Sequence, residues 1–474
     1  MEKTQEGRDR RWLALLVLCL GSLMIVLDTT IVNVALPSIR QSLGFSEASL
    51  AWVVNAYMLT FGGFLLLGGR LGDIFGPRKL FLMGITLFTL ASLACGLSTT
   101  QALLVTARAI QGLGGAVVSA VSLSLIVNLF TEPAERAKAM GISGFVAAGG
   151  GSIGVILGGI LTNILNWHWV FLVNLPLGVV VFALCLLLLP RSQGTGEGRL
   201  DVAGAITVTA SMLLAVYATV NGNQEGWAST QTLGFLGAAA LLMVMFISIE
   251  SRVRSPLIPL GLFRLRNLAI ANVIGVLWSA AMFAWFFLSA LYLQLVLKYS
   301  PLQVGLAFLP ATLIMAVFSF GLSARIVMRF GIRYPLAIGI LLVTVGLALF
   351  ARAPMNGNFV VDVLPGMILL GLGAGVAFNP MLLAAMNDVE PSKSGLASGI
   401  VNTSFMMGGS LGLAILASLA ASRTSSLLAS GKSQLAALIG GYHVAFMTGA
   451  VFAFGAAAIA GFILRPAKAF LGEQ

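Results

Sequence analysis

Apolar residues along the chain fall into long uninterrupted runs, and short clusters of charged, Gly and Pro residues separate one run from the next. A run of ~20 apolar residues is the length that crosses a hydrocarbon core of ~30 Å. Lipid offers backbone groups no outside partner, so each run predicts a helix. Breaks at charged and turn-forming residues place helices near 12–36, 49–70, 79–98, 101–128, 134–162, 167–190, 201–221, 230–250, 267–297, 301–324, 334–351, 359–387, 394–422 and 440–464. The expectation is an all-α polytopic membrane protein of fourteen spans with both termini on one side.

The Lys and Arg residues test that count. With a cytoplasmic N-terminus, the cytoplasmic segments hold 21 of the 27 Lys and Arg, the asymmetry expected of a positive-inside topology. The outer loops hold Arg40, Lys298, Arg352, Arg423 and Lys432, and Arg108 alone lies inside a span. A missed or invented span would invert every later loop and scramble this alternation. The net charge of +11 therefore reads as a topology signal. It does not point to nucleic acid, because the basic residues sit in short loops rather than on one polar face. Composition fits the same solvent: 58% of residues are apolar and 9% charged, against ~45–50% and ~25% in soluble domains.

Arg8, Arg10 and Arg11 precede the run Trp12–Leu36, which is too long for the apolar core of a signal peptide and lacks a convincing cleavage site, so it is expected to be retained as the first span. Cys19, Cys95 and Cys185 lie inside apolar runs. They show neither metal-site spacing nor the pairing of a secreted disulfide framework, and read as small core residues.

An internal repeat organises the spans. Arg70, Phe75, Gly76 and Arg78 return as Arg325, Phe330, Gly331 and Arg333 at an offset of 255. Gly112-Leu113-Gly114 returns as Gly371-Leu372-Gly373 at 259, and Gly150-Gly151-Ser152-Ile153-Gly154 as Gly408-Gly409-Ser410-Leu411-Gly412 at 258. These matches set spans 2, 4 and 5 in register with 10, 12 and 13, as in two parallel six-helix halves related by an axis along the membrane normal. The expected organisation is an N-terminal six-helix half at 1–190, a segment 191–266 made of cytoplasmic linkers around inserted spans 7 and 8, and a C-terminal six-helix half at 267–474.

Three stretches carry a family resemblance that covers nearly the whole chain. Leu27-Asp28-Thr29-Thr30-Ile31-Val32-Asn33-Val34-Ala35-Leu36-Pro37 resembles the first-helix signature of the fourteen-helix drug:proton antiporter family. Gly69-Arg70-Leu71-Gly72-Asp73-Ile74-Phe75-Gly76-Pro77-Arg78-Lys79 resembles the major facilitator loop motif, and Arg108-Ala109-Ile110-Gln111-Gly112 the fourth-helix Arg motif. Two positions depart from the pattern. Val155 follows Gly154 where the fifth-helix antiporter motif usually has Pro, and Trp167-His168-Trp169 stands where the family has Trp-Arg-Trp. The resemblance implies a major facilitator fold and antiport of drugs or natural products against protons, with multidrug efflux and antibiotic resistance as its outcome.

Asp28 is the first candidate site. A carboxylate deep in a membrane helix costs about 2.5–3.5 kcal/mol on insertion scales, and intramembrane acids usually serve function. Asp28 can bind and release a proton or pair with a cationic substrate; the alternative is a structural carboxylate capped by Thr29 and Thr30. Arg108 shares a helix face with Gly112, Gly115 and Ser119. It can stabilise an ionised acid nearby, or merely bond helix carbonyls and snorkel outward. Gly69, Asp73, Gly76, Arg78 and Arg136 form an expected cytoplasmic latch, away from the substrate, in which Asp73 meets a helix N-terminus and a basic residue and lets go as the halves rock. Gly150, Gly154 and Gly158 recur every four residues, a stripe for close helix packing. Trp278, Met282, Trp285, Ser289 and Tyr292 share a face of span 9; with Asn33, Trp52 and Tyr57 they are candidate cavity residues, since aromatic and Met surfaces accept lipophilic and cationic ligands. The competing reading of that stripe is helix packing or a lipid-facing belt.

The leading expectation is therefore a secondary exporter of amphipathic or lipophilic, often cationic, small molecules. Its partners would be substrate, protons and membrane lipid, with no nucleic acid, and a monomer would suffice. No metal or cofactor is expected. No GxxxxGK[ST] loop is present to bind ATP, which leaves the proton motive force across the plasma or inner membrane as the drive. Alternatives within the fold are a lipid or siderophore transporter, a flippase, or a facilitator without antiport. A membrane enzyme would need catalytic groups at depth, and the two histidines, His168 and His443, belong to no metal-ligand or triad pattern. A sensor or scaffold would be expected to carry a sizeable soluble module, for which no loop is long enough.

Overall fold

The computed structural model describes residues 2–130, 132–189, 200–253, 255–318, 322–390 and 394–464, and the regular elements among them are helices. Twelve are long and apolar enough to cross a membrane, and two shorter apolar helices complete a set of fourteen. In chain order these are α1 (Glu2–Leu43), α2 (Glu47–Phe75), α3 (Pro77–Gly96), α4 (Gln101–Leu129), α5 (Pro133–Ile164), α6 (Trp169–Leu188) and α7 (Val202–Glu225). They continue as α8 (Thr230–Arg252), α9 (Arg266–Val296), α10 (Pro301–Val317), α11 (Arg333–Phe350), α12 (Phe359–Met386), α13 (Ser394–Ala429) and α14 (Gln434–Phe462). A further helix, Ser323–Phe330, follows α10 toward α11.

Each helix answers to one expected span, with differences at the ends. α1 extends past 36 to Leu43 and carries Pro37 within it, because the missing N–H of a proline is tolerated where neighbouring helices pack closely. α14 begins at Gln434 rather than 440, since the Ser433 side chain accepts from the Ala436 N–H and caps the helix there. α6 opens with a single turn, Trp169–Leu172, before its main helix Asn174–Leu188.

The sequence repeat reappears as repeated packing. α3 crosses α4 so closely that a methyl group on Gly84 would lie 3.2 Å from the Gly114 carbonyl oxygen. In the second set, α11 crosses α12 with a methyl group on Gly339 only 2.9 Å from the Gly373 carbonyl oxygen. Gly154 lies against Leu27 and Thr30 of α1, and Gly412 correspondingly against Ala280 of α9. The turn between α2 and α3 places Gly76 at φ 94°, and its counterpart Gly331 has φ 74°; these are conformations that an L side chain resists. Arg78 donates to the Leu186 carbonyl at the end of α6 at 2.7 Å, and Arg333 donates through Nε to the Gly461 carbonyl at the end of α14 at 2.7 Å. The two repeats are thus fastened at the same corner.

Among the described residues, α5 with α10, α1 with α9 and α2 with α13 are helix pairs that join the two repeats. α5 meets α10 where a methyl group on Gly159 would come within 2.8 Å of the Pro301 carbonyl. α1 meets α9 through Gln294, whose Nε2 donates to the Val34 carbonyl at 2.8 Å. α2 meets α13, with Gly62 under Met406 and Gly399 under Leu66. α7 lies along this last seam. Thr209 presses on Gly63 of α2, while Ser418 of α13 donates to the Thr219 carbonyl at 2.9 Å. α8 packs on α7, with Ser211 donating to the Ala239 carbonyl at 2.7 Å, and turns most of its surface outward.

Candidate functional site

Asp28 is 0% exposed and Arg108 1% exposed, although they lie 80 positions apart in the chain. Arg108 donates through Nη1 to Asp28 Oδ2, forming an ion pair closed off from solvent. The same Nη1 also donates to Gln111 Oε1 at 2.7 Å, and Nε donates to the Val53 carbonyl at 2.9 Å. The Tyr57 ring stacks beneath the guanidinium at 4.4 Å, and the Phe171 ring lies at 5.6 Å. Asp28 Oδ1 accepts from Gln111 Nε2 at 2.7 Å and from Asn174 Nδ2 at 3.1 Å. Both amides also donate to Ser92 Oγ, at 3.1 Å and 3.0 Å, and Ser92 passes its own hydrogen to the Phe171 carbonyl at 2.9 Å.

Five helices converge here: α1 supplies Asp28, α2 Val53 and Tyr57, α3 Ser92, α4 Arg108 and Gln111, and α6 Phe171 and Asn174. A buried ion pair is tolerable when further hydrogen bonds satisfy both charges, and charge-assisted bonds to a carboxylate are the strong ones. The cluster meets that condition. It also gives Arg108 two neutral acceptors besides Asp28, which keep its N–H groups bonded but do not replace the counter-charge when the carboxylate is neutralised. Thr29 and Thr30 do not cap Asp28: their hydroxyls donate to the Val26 carbonyl at 2.8 Å and 3.0 Å. The small residues beside Arg108 are occupied by α2, because Gly112 abuts Tyr57 and Thr60, and Gly115 abuts the Tyr57 hydroxyl.

Gly150, Gly154 and Gly158 face the stretch of α1 that carries Asp28. A methyl group would lie 2.9 Å from Leu23 Cδ1 at Gly150, 3.1 Å from the Leu27 carbonyl at Gly154 and 2.6 Å from the Ile31 carbonyl at Gly158. Val155 and Gly159, on the neighbouring face of α5, meet Gly305 and Pro301 of α10. The helix that touches the Asp28 segment therefore also touches α10.

The expected cavity residues separate into distinct surroundings. Tyr57 belongs to the Asp28 cluster, while Asn33 donates to the Thr29 carbonyl at 3.1 Å on its own helix. Trp52 faces α7, with its ring 6.5 Å from that of Tyr217. Trp278 joins Phe378 and Phe405 in an edge-to-face cluster, and Trp285 packs on Phe286 and Phe308. Both indole N–H groups are buried without a hydrogen-bond partner. Met282 is buried on the same helix, and Tyr292 donates to the Pro354 carbonyl at 2.9 Å.

Gly69, Arg70 and Asp73 line a cavity of about 560 Å³ bounded by α2, α4, α7, α13 and the Ser255–Leu257 stretch. Arg136 donates through Nε to the Phe130 carbonyl at 2.9 Å, and Arg11 pairs with Glu135 at 3.4 Å on the same side of the protein. Gln111, Asn174 and Ser92 were not singled out from the sequence. Gln111 lies one helical turn from Arg108, and Asn174 is a polar residue inside an apolar run; those are the signals that could have found them.

The Major Facilitator Superfamily profile matches residues 18–413. The chain is 38% identical over 454 residues to a puromycin resistance protein of Streptomyces alboniger, covering 95% of this chain and 90% of that one. It is also 38% identical to a cephamycin export protein of Amycolatopsis lactamdurans, over 87% of this chain and 85% of that one. Among solved structures, a bacterial homologue of the human lysosomal transporter Spinster, inward-facing and unoccupied, superposes with a TM-score of 0.67 at 16% identity, covering 95% of this chain and 96% of that one. At that identity the match speaks for the fold.

Proposed function

The chain belongs to the major facilitator superfamily, and from that premise we propose that it exports amphipathic or lipophilic, often cationic, natural-product-like molecules in exchange for protons. The observation that carries this reading is the solvent-excluded Asp28–Arg108 pair held by Gln111 and Asn174. The names of its relatives, for puromycin resistance and cephamycin export, support the substrate class.

In the proposed cycle the ionised Asp28 holds Arg108, and a proton competes with Arg108 for the carboxylate. Protonation cancels the charge on α1 and leaves Arg108 on the Val53 carbonyl, Gln111 Oε1 and the Tyr57 face. Contacts among α1, α2, α4 and α6 then rearrange. The Gly154 and Gly158 contacts transmit a shift of α1 to α5, and Gly159 and Gly305 transmit it to α10. Trp278 and Trp285, with their spare indole donors, are proposed to meet substrate together with Met282. The face bearing Arg11, Arg70 and Arg78 is proposed to be cytoplasmic, with both termini there, in a plasma or inner membrane and in a protein that works as a monomer. Asp73 is proposed to bias the opening of that face.

Efflux from proteoliposomes under an imposed pH gradient tests the reading. Lipophilic cations should accumulate against their gradient only while the pH gradient persists. Transport that ignores the pH gradient would overturn antiport.

A further inference from the structure

Two acids outside the Asp28 cluster meet where the inserted helices join their linkers. Asp201 is 4% and Glu250 3% exposed. Asp201 caps the N-terminus of α7, its Oδ1 accepting from the Gly204 N–H at 2.7 Å. Glu250 lies in the last turns of α8, and its Oε2 accepts from the Ile258 N–H at 3.1 Å. Their other oxygens border the same small space beside Gly204: a methyl group there would lie 2.6 Å from Asp201 Oδ2 and 2.9 Å from Glu250 Oε1. Neither of these two buried atoms has a hydrogen-bond donor.

Two acceptors bordering one small space with no donor between them lack one thing, a hydrogen. We propose that Asp201 and Glu250 share a single proton and form a second protonation site of this protein, at the base of the inserted helix pair. Two buried carboxylates this close do not both ionise, and the pair titrates as a unit. The helix ends divide the roles. An N-cap position favours the anion, which is Asp201, whereas the partial negative charge at a helix C-terminus disfavours one, so the proton resides on Glu250 Oε1 and is donated to Asp201 Oδ2.

The charged groups around the pair are few. From α2, Arg70 and Asp73 line the same cavity as Asp201; the lining residues Leu396, Ser398, Gly399 and Asn402 of α13 and Ser255–Leu257 of the linker carry no charge. Arg252 follows Glu250 on α8 and is exposed; Arg199 and Arg254 lie outside the described residues. The cavity gives the pair a route for its proton to the face that bears Arg70. Losing that proton sets two anions against each other between the start of α7 and the end of α8. α7 in turn lies on both α2 and α13, the seam between the six-helix sets. The inserted helices thereby acquire a role as a pH-sensitive brace on that seam.

Dicyclohexylcarbodiimide, which modifies protonated carboxyl groups in apolar surroundings, tests this on the purified full-length protein, with the labelled peptides identified by mass spectrometry. Glu250 should be labelled at neutral pH, at least several-fold above the exposed Asp388, and the labelling should fall as the pH is raised. Asp201→Asn supplies an amide donor in place of the shared proton, so labelling of the unchanged Glu250 should drop to the level of Asp388. Three results would each overturn the proposal: no labelling of Glu250 at neutral pH in the unaltered protein, equal labelling in Asp201→Asn, or protection by sodium, potassium or magnesium ions, which would put a metal ion between the carboxylates.

Discussion

Asn174 on α6 donates to Oδ1 of Asp28 on α1 at 3.1 Å, across 146 positions of sequence. A neutral amide thereby helps hold a carboxylate that Arg108 alone would leave with unfilled acceptor sites. The same Nδ2 group reaches Ser92 at 3.0 Å, so α6 ties α1 and α3 together at the depth of the ion pair.

Asn174→Ala removes one donor from Asp28 and one from Ser92 together. Both acceptors keep their bond from Gln111 Nε2, so the cost is that of the lost hydrogen bonds, about 0.5–1.5 kcal/mol for a neutral one and more for the one to the carboxylate. The thermal unfolding midpoint in detergent should fall, and efflux should fall with it. Asn174→Gln, which retains the amide on a longer stem, should recover part of both.

Gly158→Ala should damage the protein far more than its size suggests, since the added methyl group meets the rigid Ile31 backbone carbonyl at 2.6 Å. Overpacking of this kind costs about 1–3 kcal/mol. Gly151→Ala is the control, because its nearest neighbour is Thr30 Cγ2 at 4.0 Å. Yield and unfolding midpoint should separate the two variants.

Asp73→Asn should slow turnover while leaving substrate binding near its original strength, because the residue is proposed to bias a conformational equilibrium rather than to hold substrate. Binding measured by fluorescence and transport measured by efflux decide it. An equal loss of both would make Asp73, which lines the α2–α13 cavity, part of the binding site.

Membrane sidedness follows from labelling of single cysteines. The native Cys19, Cys95 and Cys185 are buried, so a new cysteine at the exposed Ala228, between α7 and α8, should dominate the reaction with an impermeant maleimide. Ala228→Cys should react from outside intact cells, and Ser255→Cys only after the membrane is opened. The reverse pattern would invert the topology.

The fourteen helices were legible because apolar runs of this length have one stable form in lipid. Their ends were less so: nothing in the pattern says that α1 continues through Pro37 to Leu43. Asp28 and Arg108 stood out as charges in apolar runs, yet their pairing was not readable, because it depends on how α1 and α4 cross. Gln111, Asn174 and Ser92 are neutral and gave a weaker signal than a charge does. The aromatic stripe on α9 was visible as a stripe, but whether Trp278 faces lipid, cavity or core depends on Phe378 of α12 and Phe405 of α13, which only folding brings to it.

Proton release from the purified protein on adding a lipophilic cation, followed with a pH dye, tests the role of Asp28 most directly. Asp28→Asn keeps the side-chain shape but cannot ionise, and it leaves Arg108 buried without its counter-charge, a loss of about 3–5 kcal/mol for a broken buried pair. Asp28→Asn/Arg108→Gln removes both charges and should regain much of that stability without regaining function. A proton moving down ~100 mV releases about 2.3 kcal/mol, and neither variant should couple that energy to export. The expected result is substrate-induced proton release from the unaltered protein and none from Asp28→Asn or from the double variant, each shown to be folded. Undiminished proton release and efflux in folded Asp28→Asn would contradict the account and turn attention to Asp362, whose carboxylate accepts from the Asn358 N–H at 2.7 Å at the start of α12.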